Sequence, residues 1–313
     1  MDNGIIKVVY SSSGFIELTE NEYEQIELAR KNLFEVLFIE EKFDFVSENY
    51  YELETELLSI ASRMIVFHDD DYFSMNQERN IISRKIANLM TTCRMYLDSV
   101  IHHLNNIYFD DTSKSEYIKN EKINQYNNSL GYRTLETLRN YVQHRGFPIQ
   151  NALFSYEKVR LGNRSLQSNI VIPIINIKTL EEDGNFKRSV LKELKSLGST
   201  KEIDIRIFIR DYIECIWNIH ECTRKILSHD LIIWKKTIQN IIKRYDKVFG
   251  KNASRFLFYL ATRNNKGCLE KEKTIFQDYI KRIEKYQRKN CLLNNLRKRY
   301  ASNEIREEIE EQK

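Results

Sequence analysis

An arginine and a histidine five positions apart stand in the segment 138–148, LRNYVQHRGFP, at the end of a predicted helix. The guanidinium of Arg139 offers a planar fork of donors that suits phosphate, and the imidazole of His144 titrates near neutral pH. Gly146 and Pro148 follow and favour the end of the helix there. No metal-binding motif accompanies the pair. The segment therefore predicts chemistry on a phosphodiester.

Spacing alone does not select this pair, because the chain contains two others with the same separation, Arg63–His68 and Arg224–His229. His68 follows an apolar run and adjoins a predicted helix break, which favours a capping or solvent role. His229 lies one helical turn after Lys225, whose like charge disfavours a protonated imidazole. Local chemistry thus favours the pair in segment 138–148.

The polar side chains around this pair share one side of the predicted helix. At 100° per residue, the buried face is formed by Leu135, Leu138 and Val142. The adjoining arc carries Arg139, Asn140, Gln143 and His144. Asn140 lies one turn before His144 and can orient its ring, while Arg139 stacks with Gln143. The carboxyl end of the helix favours a charged imidazole by about 0.3–1 kcal/mol where it is exposed.

The elements that must position these residues are mostly helices. Apolar residues recur at helical spacing over 20–40, 47–67, 75–108 and 116–145, the last with a break near Gly131. These stretches predict a bundle over residues 20–147. Only 2 prolines and 9 glycines occur in 313 residues, which also favours long helices.

Two β-hairpins and a second helical region complete the prediction. The hairpins are expected at 5–10 with 15–18, and at 152–161 with 169–177. A polar linker is expected over 180–185. Further helices are expected over 186–197, 204–228, 230–249, 252–264 and 269–300.

The predicted fold class is therefore mainly α, with a helical bundle, two short hairpins and a helical C-terminal region. The predicted division is a hairpin arm (1–19), the bundle (20–148), a hairpin insertion with linker (149–183) and the C-terminal helical region (184–313).

The motif and its helical setting resemble a known family. The run from Arg139 to His144 is similar to the Arg-(4 to 6 residues)-His motif of the HEPN superfamily, in which a polar residue, often Asn, follows the arginine. A bundle of four or five helices with the motif on a late helix is also that family's architecture. The resemblance covers about residues 20–148. Some members carry Tyr two residues after the histidine; here Gly146 stands there, so regulation through such a tyrosine is not supported.

The resemblance implies a metal-independent endoribonuclease without a cofactor, acting as a homodimer whose two motifs face each other. His144 would be the general acid or base, Arg139 would neutralise charge on the phosphoryl oxygens, and Asn140 would position the histidine or the phosphate. Arg145 and Gln143 would contact the RNA. Members often act as toxins or as effectors in defence against phage, so an antitoxin or regulatory partner is also expected.

Bulk properties indicate a cytoplasmic protein with no membrane association. The net charge of +4 permits a polyanionic partner without demanding one. The 5 cysteines are scattered, which fits reduced thiols, and no signal peptide or bilayer-spanning run is seen.

Several alternatives stay open. The cluster 68–71, HDDD, is either a metal site or a solvated loop. His102 and His103 are adjacent and cannot face one way. Zinc is disfavoured at Cys215, His220 and Cys222 for want of a second ligand pair. The basic segment 281–300 is either an RNA track or a solvated face. A non-catalytic HEPN-like module that binds RNA or protein, or a helical scaffold, would also fit the whole chain.

Overall fold

The computed structural model describes residues 6–67, 72–161, 164–198, 202–251, 253–255, 258–264 and 266–301. Eight α-helices and two small antiparallel sheets make up this part of the chain, which confirms a mainly α fold. The helices are α1 (Glu20–Phe67), α2 (Tyr72–Ile107), α3 (Ser113–Asn128), α4 (Leu130–His144), α5 (Ile177–Asp183), α6 (Arg188–Ser196), α7 (Ile205–Phe249) and α8 (Asp278–Lys289).

The first helix is continuous over 48 residues, where the sequence predicted separate helices over 20–40 and 47–67. The prediction of a break was wrong because the intervening residues pack: Phe43 and Val46 are fully buried. The next helix, α2, returns along α1 and matches the predicted span 75–108 closely.

The predicted break in the fourth stretch, 116–145, is confirmed at Ser129, between α3 and α4. The Ser129 hydroxyl accepts a hydrogen bond from the backbone N–H of Tyr132 and caps α4. Gly131 lies against α7, where an added Cβ would come within 2.5 Å of the Asp211 side chain. The missing side chain therefore lets α4 approach α7 closely.

The first sheet has the order β2-β1-β6-β7 and joins the two ends of the chain. Its strands are β1 (Ile6–Ser11), β2 (Gly14–Leu18), β6 (Tyr259–Arg263) and β7 (Leu269–Thr274). The β1–β2 hairpin confirms the prediction, but the expected helix over 252–264 was wrong. Of the helix expected over 269–300, only α8 forms, because β7 takes the first residues. Val9 pairs with Leu260, and both are fully buried, so a partner about 250 residues away decides the strand.

The second sheet has the order β3-β4-β5, with strands β3 (Asn151–Leu161), β4 (Arg164–Asn176) and β5 (Glu202–Asp204). The predicted hairpin is confirmed. The polar linker expected over 180–185 was wrong over 180–183, because α5 extends to Asp183 and buries Leu180 completely. Gly184 ends α5 with a positive φ of 73°.

The long helix α7 connects the parts of the molecule. It replaces the two helices predicted over 204–228 and 230–249, and it packs on α1, α3 and α4. The buried hydrophobic residues form one cluster that includes α7 and the helices of the predicted bundle. The four-part domain division stays a prediction. No helix in the described ranges is long and apolar enough to span a bilayer.

Candidate functional site

The end of α4 presents the predicted polar arc to solvent. Leu135 and Leu138 are buried, as expected, and Tyr141 joins them, while Val142 is half-buried. On the other side, the exposed residues are Asn140, Gln143, His144 and Arg145, and Arg139 is half-buried. The helix ends at His144, as the sequence predicted.

The guanidinium of Arg139 has no carboxylate partner among the described contacts. Its Nη1 donates to the side-chain oxygen of the neighbouring Asn140 at 3.2 Å. Its Nε is buried without any hydrogen-bond partner. A buried donor without a partner costs free energy, and an external ligand could accept from this Nε only if the side chain moved. The expected contact between Asn140 and His144 is not among the described hydrogen bonds.

The rival arginines are both engaged by carboxylates. Arg63 donates to both carboxylate oxygens of Glu78 at 2.8 Å. Arg224 forms a bidentate pair with Glu40 at 3.0 and 2.7 Å. His229 is 83% exposed in its side chain, and His68 lies outside the described residues. Of the three arginines, only that of α4 remains available to an external anion.

The loop after α4 is held firmly. An added Cβ at Gly146 would lie 2.6 Å from the Tyr141 hydroxyl oxygen, so this position needs glycine for close approach. Pro148 and Ile149 are buried. Phe147, between them and Gly146, is 62% exposed.

Helix α2 brings a further cation to this loop. The guanidinium carbon of Arg79 lies 5.9 Å from the centre of the Phe147 ring, and its Nη1 donates to the carbonyl oxygen of Gln150 at 3.5 Å. Sequence reasoning missed both Arg79 and Phe147. They are 68 positions apart. In the sequence, the only signal was an aromatic residue, Phe147, between the turn residues Gly146 and Pro148.

A second arginine–histidine group is buried between α1, α2 and α7. His220 is fully buried, stacks on Phe43 at 3.8 Å and hydrogen-bonds through Nδ1 to the Tyr96 hydroxyl at 2.9 Å. Burial lowers the pKa of His220, so the imidazole is neutral near pH 7. Burial disfavours the nearby Glu40 carboxylate, but His220 and the fixed charge of Arg224 outweigh that effect and lower its pKa. This buried group therefore serves the packing of α1, α2 and α7 rather than chemistry on a ligand.

Other candidates from the sequence are placed as follows. The cluster 68–71 lies outside the described residues, and the described part of the chain holds no group of three or more His, Cys, Asp or Glu that could bind a metal. Burial raises the pKa of the Cys215 thiol to about 11. His103 is buried and pairs with Glu35 at 2.7 Å, whereas His102 is exposed.

Three of the eight lysines and arginines in the basic segment 281–300 form ion pairs with other helices among the described contacts. Arg282 pairs with Glu41, Lys289 with Asp44 and Glu48, and Arg297 with Asp211. These ion pairs fasten α8 and the following residues to α1 and α7. They favour a structural role for these three side chains and leave an RNA track open as the alternative for the rest of the segment.

A cleft of about 730 Å³ lies between the α3–α4 turn and α7. Asp211, Glu214 and Asn218 line it, and burial raises the pKa of Asp211 despite the opposing charge of Arg297. None of the lining residues belongs to the end of α4. The candidate site is therefore an exposed surface rather than a deep pocket.

In comparisons with known proteins, no family model, curated protein or solved structure matches the chain.

Proposed function

We propose that the carboxyl end of α4 is the active site of a metal-independent endoribonuclease. The observation that carries the proposal is the unpaired guanidinium of Arg139 on the same exposed helix end as His144. An arginine without a carboxylate partner can clamp a phosphate, and an exposed imidazole near the same helix end can exchange protons with a ligand bound there.

The reaction is an attack of the RNA 2′-hydroxyl on the adjacent phosphorus. A base takes the 2′-hydroxyl proton while the O2′–P bond forms, and an acid protonates O5′ while the P–O5′ bond breaks. The products are a 2′,3′-cyclic phosphate and a 5′-hydroxyl. His144 fills one of these proton-transfer roles, and Arg139 neutralises the charge that develops on the phosphoryl oxygens.

The second proton-transfer group comes from a second copy of the chain. One protomer supplies one imidazole at this site, since His144 is the only histidine in segment 138–148. A homodimer whose two α4 ends face a shared groove would supply both the acid and the base. In this arrangement Asn140 holds the Arg139 guanidinium, and Gln143 and Arg145 contact the RNA strand.

The setting we propose is the cytoplasm, with the ribonuclease acting as a toxin or phage-defence effector under control of an antitoxin or regulatory partner. The cysteines in the described part of the chain are free thiols, which fits a reducing compartment. The biological role itself follows from the HEPN resemblance alone.

The test is RNA digestion in EDTA by the wild-type protein, His144→Ala and Arg139→Ala. We expect His144→Ala to lower the cleavage rate by about 10²–10⁴-fold and Arg139→Ala by about 10²–10³-fold. Both variants should keep the helical circular dichroism spectrum, because His144 is exposed and Arg139 has no partner beyond its neighbour.

The matched control is His229→Ala, which removes the exposed histidine of a rival pair and should leave cleavage unchanged. Cleavage that survives both α4 substitutions would refute the assignment. RNA binding without cyclic-phosphate ends would instead favour a non-catalytic RNA-binding module. Loss of cleavage on chelation alone would instead indicate a metal-dependent reaction, with the acidic cluster 68–71 as the candidate metal site.

A further inference from the structure

The loop that follows His144 combines an exposed aromatic ring with a rigid backbone. Phe147 is 62% exposed although the residues beside it, Pro148 and Ile149, are buried. The Gln150 side-chain amide donates to the Phe147 carbonyl oxygen at 3.3 Å, and its oxygen accepts from the backbone N–H of Asn176 at 2.9 Å. These contacts fix the loop backbone at Phe147, from which the exposed ring projects.

Arg79 at this ring and Arg145, two positions before it in the chain, have no carboxylate partner among the described contacts. Arg79 lies over the Phe147 ring, within the range of a cation–π contact. The carboxylate of Glu78, which precedes Arg79 in the chain, already accepts hydrogen bonds from Arg63. Arg145 is exposed and has no ion pair among the described contacts.

An exposed ring beside an arginine that lacks a carboxylate partner suits an unpaired nucleobase on a phosphate backbone. Every base has a flat face that stacks on an aromatic ring, and arginines track the phosphates. In a duplex those faces already stack on neighbouring bases, so only a single-stranded or looped RNA can offer one.

We propose that Phe147 is a stacking platform for an unpaired base next to the linkage that His144 and Arg139 cleave, so that the substrate is single-stranded RNA. Phe147 is a specificity-determining residue in this scheme, and Arg79 braces its ring. The inference rests on the proposed ribonuclease function and adds the substrate class and the residue that reads it.

The experiment measures binding of a short 2′-O-methyl RNA, which lacks the attacking hydroxyl and therefore stays intact with the wild-type protein. We expect Phe147→Ala to weaken binding to the single strand by about 5- to 150-fold, the range found for loss of one stacked base. Phe147→Trp should bind as well as wild type, and Phe147→Leu should bind as poorly as Phe147→Ala, because leucine is apolar but cannot stack.

The matched control is Phe109→Ala. Phe109 is 82% exposed just beyond the opposite end of α2, about 40 Å from Arg79 by the helical rise of 1.5 Å per residue. The Phe109→Ala variant should leave RNA binding unchanged. With cleavable RNA, Phe147→Ala should raise KM more than it lowers kcat, and the duplex form of the RNA should show no dependence on residue 147.

The outcomes separate the two proposals. If the wild type cleaves RNA and Phe147→Ala binds and cleaves as well as wild type, the platform is refuted and the ribonuclease stands. The platform also fails if Phe147→Leu matches wild type. If the wild type neither binds nor cleaves any RNA, both proposals fall.

Discussion

Arg139 and Arg224 lie on neighbouring helices, each near a histidine, yet their surroundings are opposite. Arg224 meets the buried carboxylate of Glu40 through two hydrogen bonds, and His220 beside them is fully buried. Arg139 meets only the Asn140 amide, and His144 faces solvent. The same two residue types stabilise the fold where a carboxylate lies within reach. Where none does, they are left available to an external phosphate.

The buried group should show the largest effect on stability. Glu40→Gln removes the negative charge that balances Arg224 and should lower the free energy of unfolding by about 3–5 kcal/mol. Urea or guanidinium denaturation measures the loss. The control is Glu52→Gln, which removes the half-exposed partner of Lys85 and should cost about 0–1 kcal/mol. Equal losses in the two variants would mean that burial of the Arg224 pair carries no special weight.

Acid should destabilise the protein through the same group. The pKa of Glu40 is lowered to about 2, and burial lowers the pKa values of His220 and His103. At all three groups the unfolded chain binds more protons than the folded one, so stability falls as pH falls. The two histidines lower the free energy of unfolding below about pH 6.5. Glu40 lowers it from about pH 4.5 downward, by up to about 3 kcal/mol.

Denaturation series from about pH 7 to about pH 3 test this dependence. Glu40→Gln should flatten the lower part of the curve and leave the upper part in place. A wild-type stability that stays constant throughout would contradict the ionised state of Glu40.

The loop beside the exposed group should tolerate little added volume. Gly146→Ala places a Cβ 2.6 Å from the Tyr141 hydroxyl oxygen and should cost about 1–3 kcal/mol of stability. Adding Tyr141→Phe removes that nearest atom and should recover part of the loss, although ring carbons at 2.9 Å remain. Thermal unfolding of the single and double variants measures both effects. A double variant less stable than Gly146→Ala would argue against this close approach.

A substitution can give Arg139 a carboxylate partner of the kind that Arg224 has in Glu40. Gln143→Glu places a carboxylate one helical turn after Arg139, where an ion pair can form. We expect cleavage to fall by about two- to fivefold more than in Gln143→Ala, which removes only the amide. Initial cleavage rates measure the difference. Equal rates in the two variants would show that an unpaired Arg139 is not required.

The smallest effect is expected at Arg145. Its loss in Arg145→Ala should weaken RNA binding a few-fold and reduce the salt dependence by about 0.7 in the slope of log K against log salt, as for one phosphate contact with a single strand. Arg288→Ala on α8 removes an exposed arginine from the basic segment and should change neither quantity. A reduced slope in Arg288→Ala would place RNA on α8 as well.

Local signals were enough to predict the elements nearest the candidate site. The apolar spacing of Leu135 and Leu138 and the turn residues after His144 predict the buried face and the end of α4, because helix periodicity and helix termination depend on neighbouring residues. The β1–β2 and β3–β4 hairpins were predicted for the same reason. The helix expected in place of β6 failed because that strand pairs with β1, far away in the chain. The strand β7 in turn pairs with β6.

The sequence alone thus determined the mainly helical character, the register of α4 and the residue types on its exposed arc, all of which follow from contacts a few positions apart. Only the tertiary structure decided which arginine is paired and which is not. Glu40 reaches Arg224 from 184 positions away, and Arg79 reaches the Phe147 ring from 68 positions away. Such pairings depend on how α1, α2 and α7 pack, because burial and charge balance are properties of the assembled core rather than of any one segment.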